Sequence, residues 1–147
     1  MASLYSLPQA ERINSKKEID RLFHGGRSKS MTISPLRVVY MAEVRDGETR
    51  GPVARMMVSV PKRHFKRAVK RNLVKRQVRE AYRLNKHLLT DRIEGITVSM
   101  CFIWTADQIV STADVQERMR KLLARMAERL AATAEAKSGE AHDGKEA

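Results

Sequence analysis

The sequence predicts a mixed α/β domain: a small sheet with helices packed against it. Three observations carry that expectation. Apolar, β-branched runs recur at 36–44, 53–60 and 96–104. Apolar residues at helical spacing recur at 15–24, 66–84 and after 111. The two kinds of segment alternate along 147 residues, a length suited to one domain with its own core.

Each element has its own signals. Residues 1–10 read as an irregular lead-in containing Pro8. In SKKEIDRLFH, Ile19, Leu22 and Phe23 share one helical face, Ser15 is placed to cap, and Gly25-Gly26 is a stop. GRSKSMTISP leaves room for a short edge strand before Pro35. LRVVYMAEV reads as a strand, Asp46-Gly47 as a hairpin-type turn, and VARMMVSV as the returning strand. Pro61 ends that pairing because it has no N–H to donate. ITVSMCFIW is almost continuously apolar, which predicts a central strand covered on both faces. Ser111 or Thr112 can cap a last helix carrying Val115, Met119, Leu122, Leu123, Met126 and Leu130 as a stripe. The polar stretch from 135 to 147 is expected to be a disordered tail behind a single domain over 1–134. No internal repeat is present.

Composition narrows the function. Hydrophobic content of 42% and charged content of 31% suit a soluble globular chain, and the net charge of +12 suits a polyanionic partner. Nucleic acid is the first such partner and an anionic membrane surface the second. The excess is concentrated, since residues 62–83 hold ten Lys/Arg against the single acid Glu80. No apolar run approaches the roughly 18 residues of a membrane span, and the N-terminus lacks the apolar core of a secretory signal. Cys101 is the only cysteine, so an intramolecular disulfide and a CxxC metal site are both excluded. These observations predict a cytoplasmic protein with no membrane partner.

KRAVKRNLVKRQVREAYR, residues 66–83, carries eight Lys/Arg. At about 100° per residue, Lys75, Arg76, Arg79 and Arg83 fall within about 60° of Asn72. Val74, Val78, Ala81 and Tyr82 gather on the far side, so the helix has an apolar underside and a cationic ridge. Arg67 and Arg71 break the division. Either the regular helix starts later, or these two snorkel from the edge of the core. Ordinary solvated helix faces interleave both signs, because like charges at i, i+4 repel. The missing acids imply a partner that supplies them. Arginine forks suit phosphate oxygens, and Asn72 can bond a phosphate, a sugar or a base edge. A helix flanked by strands is not a helix-turn-helix reader, which favours RNA over the DNA major groove. Phe23 and Tyr40 are candidates to stack on unpaired bases, or else core residues.

Residues 59–83, SVPKRHFKRAVKRNLVKRQVREAYR, resemble the signature of the protein subunit of bacterial ribonuclease P. The family's pattern is a Ser-Val strand end, a Lys pair (Lys62-Arg63 here), then Ala-x-x-Arg-Asn-x-x-Lys-Arg-x-x-Arg-Glu. LPQAERINSKKEIDRLFHGGRS resembles the same family's opening, and the similarity spans about residues 7 to 130. The resemblance implies an α/β (α+β) two-layer sandwich with a central four-stranded sheet and three helices. In it the basic helix is a left-handed β-α-β crossover from strand 53–60 to strand 96–104. It also implies a subunit of an endoribonuclease, a hydrolase that removes the 5′ leader of precursor tRNA. The RNA subunit would carry catalysis with Mg²⁺, and the protein alone, monomeric apart from its RNA, would be inactive and bind no cofactor itself.

Carried over by position, Arg71, Asn72, Lys75, Arg76 and Arg79 would face the catalytic RNA. Lys62, Arg63, Lys66, Arg67 and Arg83 would extend that surface. A leader cleft between the first helix and the sheet would be lined by Ile19, Phe23 and Tyr40, with Arg27 and Ser59 nearby. Two positions depart from the family pattern: Leu73 stands where an Arg is usual, and Ile19 where a Phe is usual. No catalytic residue and no metal ligand is expected in the chain, since its four His share no ligand spacing. The competing reading is a ribosomal-protein-like RNA-binding module or RNA chaperone without a processing role.

Overall fold

The computed structural model describes residues 7–45 and 51–143, with side chains up to residue 131. Its layout follows from strand β4 (Ile96–Trp104), which buries Val98, Met100, Phe102 and Trp104 on one face and Cys101 on the other. A strand apolar on both faces belongs in a sheet interior with cover on both sides. The sheet therefore runs β1 (Lys29–Ile33), β2 (Leu36–Val44), β4, β3 (Ala54–Ser59). β2 lies antiparallel to β4 from Leu36↔Trp104 to Val44↔Ile96, and β1 is the antiparallel edge beyond β2. β3 lies parallel to β4, from Ala54↔Val98 to Ser59↔Ile103.

That order corrects one expectation. Strands 36–44 and 53–60 are not hairpin partners, because β4 is inserted between them. The most apolar strand takes an interior position beside β2, leaving β3 at an edge. The Asp46-Gly47 turn lies outside the described residues. β3 and β4 run parallel, so no tight turn can join them and the chain must cross the sheet. Helix α2 (Ala68–Asn85) makes that crossing, followed by the short α3 (His87–Thr90).

The main core lies between the sheet and the pair of helices α2 and α4 (Thr112–Asp143). Val74, Val78, Ala81 and Tyr82 of α2 are buried there, the underside that the 3.6 period predicts. Val115, Met119, Leu122, Leu123, Met126 and Leu130 of α4 meet them with Tyr40, Phe102 and Trp104. Ser111 caps α4, its Oγ accepting the Asp114 N–H at 3.2 Å. Gln77 Nε2 donates to the Val110 carbonyl at 3.0 Å and ties α2 to the start of α4. α4 continues to Asp143, so the polar stretch from 135 is helical that far instead of forming an irregular tail. Its Ala, Glu and Lys are strong helix formers, and a helix already nucleated by packing extends cheaply through them.

The opposite face of the sheet is covered by helix α1 (Lys16–His24). Leu22, fully buried, packs with Val39, Met41 and Cys101 in a second, smaller core. Two ion pairs fasten the helix to the strands, Glu18 with Arg55 and Arg21 with Glu43. Gly25 closes α1 by donating its N–H to the Arg21 carbonyl. A Cβ at that position would collide with the same carbonyl oxygen, which is why glycine stands there. The segment before α1 shields the free edge of β3, Ile13 N–H donating to Met56 O at 2.8 Å. A nearly buried ion pair, Lys86 Nζ to Glu11 Oε1 at 2.9 Å, holds the turn at Gln9–Glu11 to the end of α2.

Burial pushes the Cys101 thiol up to about 12. At about pH 8 the folded chain is therefore expected to resist thiol-specific reagents and the urea-unfolded chain to react at once. Leu22→Ala uncovers this face and should cost about 2–5 kcal/mol in urea titration. Rapid stoichiometric labelling of the native protein would contradict the packing of α1.

Candidate nucleic-acid interface

Crossing the sheet as α2 does buries one side of the helix and leaves the rest in solvent. On the solvent side lie Asn72, Lys75, Arg76, Arg79 and Arg83, in the row that helical angle predicts. Asn72, Arg76 and Arg79 are exposed, and Lys75 and Arg83 half-buried. Glu80 is committed to Arg83: Arg83 Nε donates to Glu80 Oε2 at 3.1 Å, and Nη2 bonds Oε1. The paired guanidinium, through its hydrogen bond, holds the Glu80 carboxyl below the ordinary carboxylate range. No acidic side chain among the described residues forms an ion pair with Lys75, Arg76 or Arg79. Lys62, Arg63, Lys66 and Arg67, exposed in the connection from β3, continue the positive surface to the start of α2.

Arg67 and Arg71 now have positions. Regular helix begins at Ala68, so Arg67 is the residue that precedes it, and its side chain is exposed. Arg71 is half-buried and turned back: its Nη1 donates to the carbonyls of Phe65 at 2.7 Å and Lys66 at 2.8 Å. It stands off the ridge and fixes the loop that presents Lys66. Leu73, where the family pattern has Arg, is 42% exposed.

The second predicted surface is only partly assembled. Strand alternation sends Val39 and Met41 toward α1 and Val38 and Tyr40 toward α2 and α4. Tyr40 is 2% exposed and lies in the main core, so it does not line a cleft beside α1. A one-residue phase difference in a strand decides this. Phe23 on α1 is 41% exposed, Ile19 half-buried, and Arg27 exposed just past the helix. Ser59 does lie on the α1 face, in a register row that runs Thr32, Arg37, Ile103, Ser59 across the sheet. That row brings in Arg37, an exposed cation that composition alone did not single out. The signal was available: Arg37 shares the phase of Val39 and Met41 in β2.

A groove of about 310 Å³ reaches the ridge from the other side of β3, with Arg12, Asn14, Met57 and Arg79 in its wall. Among the described residues, no group of three or more His, Cys, Asp or Glu converges as a metal site requires. His64 bonds Asp107 instead, Nδ1 to Oδ1 at 2.6 Å. No helix among the described residues is long and apolar enough to cross a membrane.

A four-stranded mixed sheet whose parallel crossover helix turns an unneutralised cationic face to solvent defines a class: a small α/β domain built to meet a polyanion. The comparisons make the class specific. The family model for Ribonuclease P matches residues 7–127, and the chain belongs to that family. A ribonuclease P protein component from Porphyromonas gingivalis is 42% identical over 125 residues, covering 84% of this chain and 88% of that protein. One from Chlorobaculum tepidum is 38% identical over 86 residues, 58% of this chain and 54% of that protein. The fold matches the Staphylococcus aureus RNase P protein with a TM-score of 0.59 at 21% identity, covering 81% and 96% of the two chains. It matches that of Thermotoga maritima equally, TM-score 0.59 at 23% identity, covering 78% and 96%.

The two aromatic candidates should separate by stability. Tyr40→Ala, in the core, is expected to cost about 3–5 kcal/mol. Phe23→Ala, at the surface, should stay within about 1 kcal/mol. Chemical denaturation of both variants checks the assignment, and equal losses would contradict it.

Proposed function

We propose that the chain works in tRNA maturation by holding the ribonuclease P RNA on the α2 ridge while the 5′ leader of precursor tRNA runs along the α1 face of the sheet. The observation that carries this reading is the row Lys75, Arg76 and Arg79, unpaired with any described acid on a helix whose other side is locked into the core. Such a row cannot relax its repulsion by turning inward, so an external anion offsets it. Each phosphate it neutralises releases counterions, which favours association and makes it salt-dependent.

In this reading hydrolysis belongs to the RNA. Mg²⁺ bound there would supply metal-assisted activation of the attacking water at the scissile phosphate. The chain's own residues bind and orient: the ridge and the loop cations Lys62, Arg63, Lys66 and Arg67 offset repulsion between two RNAs. Arg71 shapes that loop from behind. On the leader side, Phe23 offers an exposed ring for stacking and Ile19 apolar contact, while Arg27, Arg37 and Ser59 offer backbone contacts. The protein is proposed to be monomeric apart from its RNA and to act in the cytoplasm, where its substrate is made.

Arg76→Ala and Arg79→Ala should each weaken binding to the RNA subunit with folding intact, and each should reduce the log–log salt slope by about 0.7. Unchanged affinity in both variants would remove the ridge from the interface. Restoring precursor cleavage by ribonuclease P RNA at low Mg²⁺ separates a processing subunit from a purely structural RNA binder. Phe23→Ala is expected to lose affinity for precursor over mature tRNA, and equal losses for both would assign it to packing.

A further inference from the structure

A pocket of about 510 Å³ opens at the start of α2, on the side away from the ridge. Lys70, in its wall, stands about 160° around the helix from Asn72. Lys66 and Arg67 join it, and none of the three forms an ion pair with an acidic side chain among the described residues. The opposite wall comes from the loop between β4 and α4, where Ile109 leaves 41% of its surface exposed.

The walls are held in place from within. His64, its side chain only 10% exposed, bonds Asp107 across the mouth, and its backbone N–H donates to Pro61 O at 3.1 Å. Arg71 clamps the carbonyls of Phe65 and Lys66 from behind. The buried Nε2 of His64 has no hydrogen-bond partner among the described residues, so the wall's polar complement is unfilled.

Cations alone would suit any phosphate, and an exposed aliphatic wall alone would suit any apolar surface. Their combination in a cavity of small-ligand size suits a group that carries a phosphate and a flat apolar face together. We propose that this pocket seats one unpaired nucleotide of the RNA subunit, its base against Ile109 and its flanking phosphates on Lys66 and Lys70. The proposal rests on the RNA-binding function above and adds a contact away from the ridge.

Titration of labelled ribonuclease P RNA against the full chain, over a salt series, tests it. Ile109→Ser is expected to weaken binding about fivefold with the salt slope unchanged, since it removes a base contact and no charge. Lys70→Ala is expected to weaken binding and to reduce the slope by roughly 0.7. Both positions are exposed, and circular dichroism checks that the variants fold. If Lys70→Ala weakens binding and Ile109→Ser does not, the pocket holds phosphate without a base and the proposal is overturned. If neither matters while Arg76→Ala does, the pocket is overturned and the ridge stands. If Arg76→Ala is silent as well, the RNA-binding reading itself fails. A photo-crosslinker on Ile109→Cys gives an independent check, because Cys101 is buried and unreactive. Attachment to one unpaired nucleotide supports the site, and attachment only within duplex RNA overturns it.

Discussion

Parallel pairing of β3 with β4 is the constraint on which the rest of the molecule depends. Parallel neighbours need a long connection across the sheet, and α2 is that connection. A helix laid across a sheet must bury one side, and Val74, Val78, Ala81 and Tyr82 supply it. Whatever occupies the other side is then held rigidly toward solvent. The cationic ridge is thus a product of topology as much as of composition: the same six cations of α2 on a free helix would spread and fray.

Several of the described acids reinforce this arrangement by being occupied elsewhere. Glu18 and Glu43 fasten α1 to the strands, Glu11 pairs with Lys86, and Glu117 pairs with Lys121 on α4. Within α2 itself the one acid is Glu80, and it is taken by Arg83. The exposed pairs Arg21–Glu43 and Lys121–Glu117 contribute little to stability, so their larger effect is on where the net positive field is left. It is left along Lys75, Arg76 and Arg79 and around the start of α2. The polar and apolar roles of α2 are also separated within single residues: Arg71 spends its guanidinium on backbone carbonyls, which stiffens the loop that carries Lys66.

Much of this was legible beforehand because local period and burial coincide. In α2 the 3.6-residue period separates Val74 and Val78 from Arg76 and Arg79 without reference to any other element. β4 announced its central place through ITVSMCFIW, and Ser111 its capping role through its position before the stripe of α4. Tyr40 shows the limit. In LRVVYMAEV four consecutive residues, Val38 to Met41, are buried, so alternation of polarity gives no phase, and only the side on which α1 packs reveals which face Tyr40 joins. The expected hairpin of 36–44 with 53–60 failed for a related reason. Turn chemistry at Asp46-Gly47 says that a chain can reverse, not which strand will lie beside it.

The sequence by itself determined the types of the sheet strands and of the main helices, the cationic and apolar sides of α2, the central position of β4 and, through the 59–83 pattern, the family. Those properties depend on neighbours within a few residues or on a fixed motif. Only the tertiary structure decided the strand order, the face on which Tyr40 lies, the return of Arg71 onto its own loop and the placing of Lys70 and Ile109 in the walls of one pocket. Each of these joins residues distant along the chain or chooses between two faces of equal polarity. The choice is made by which surfaces exclude water together, a quantity that no single segment carries.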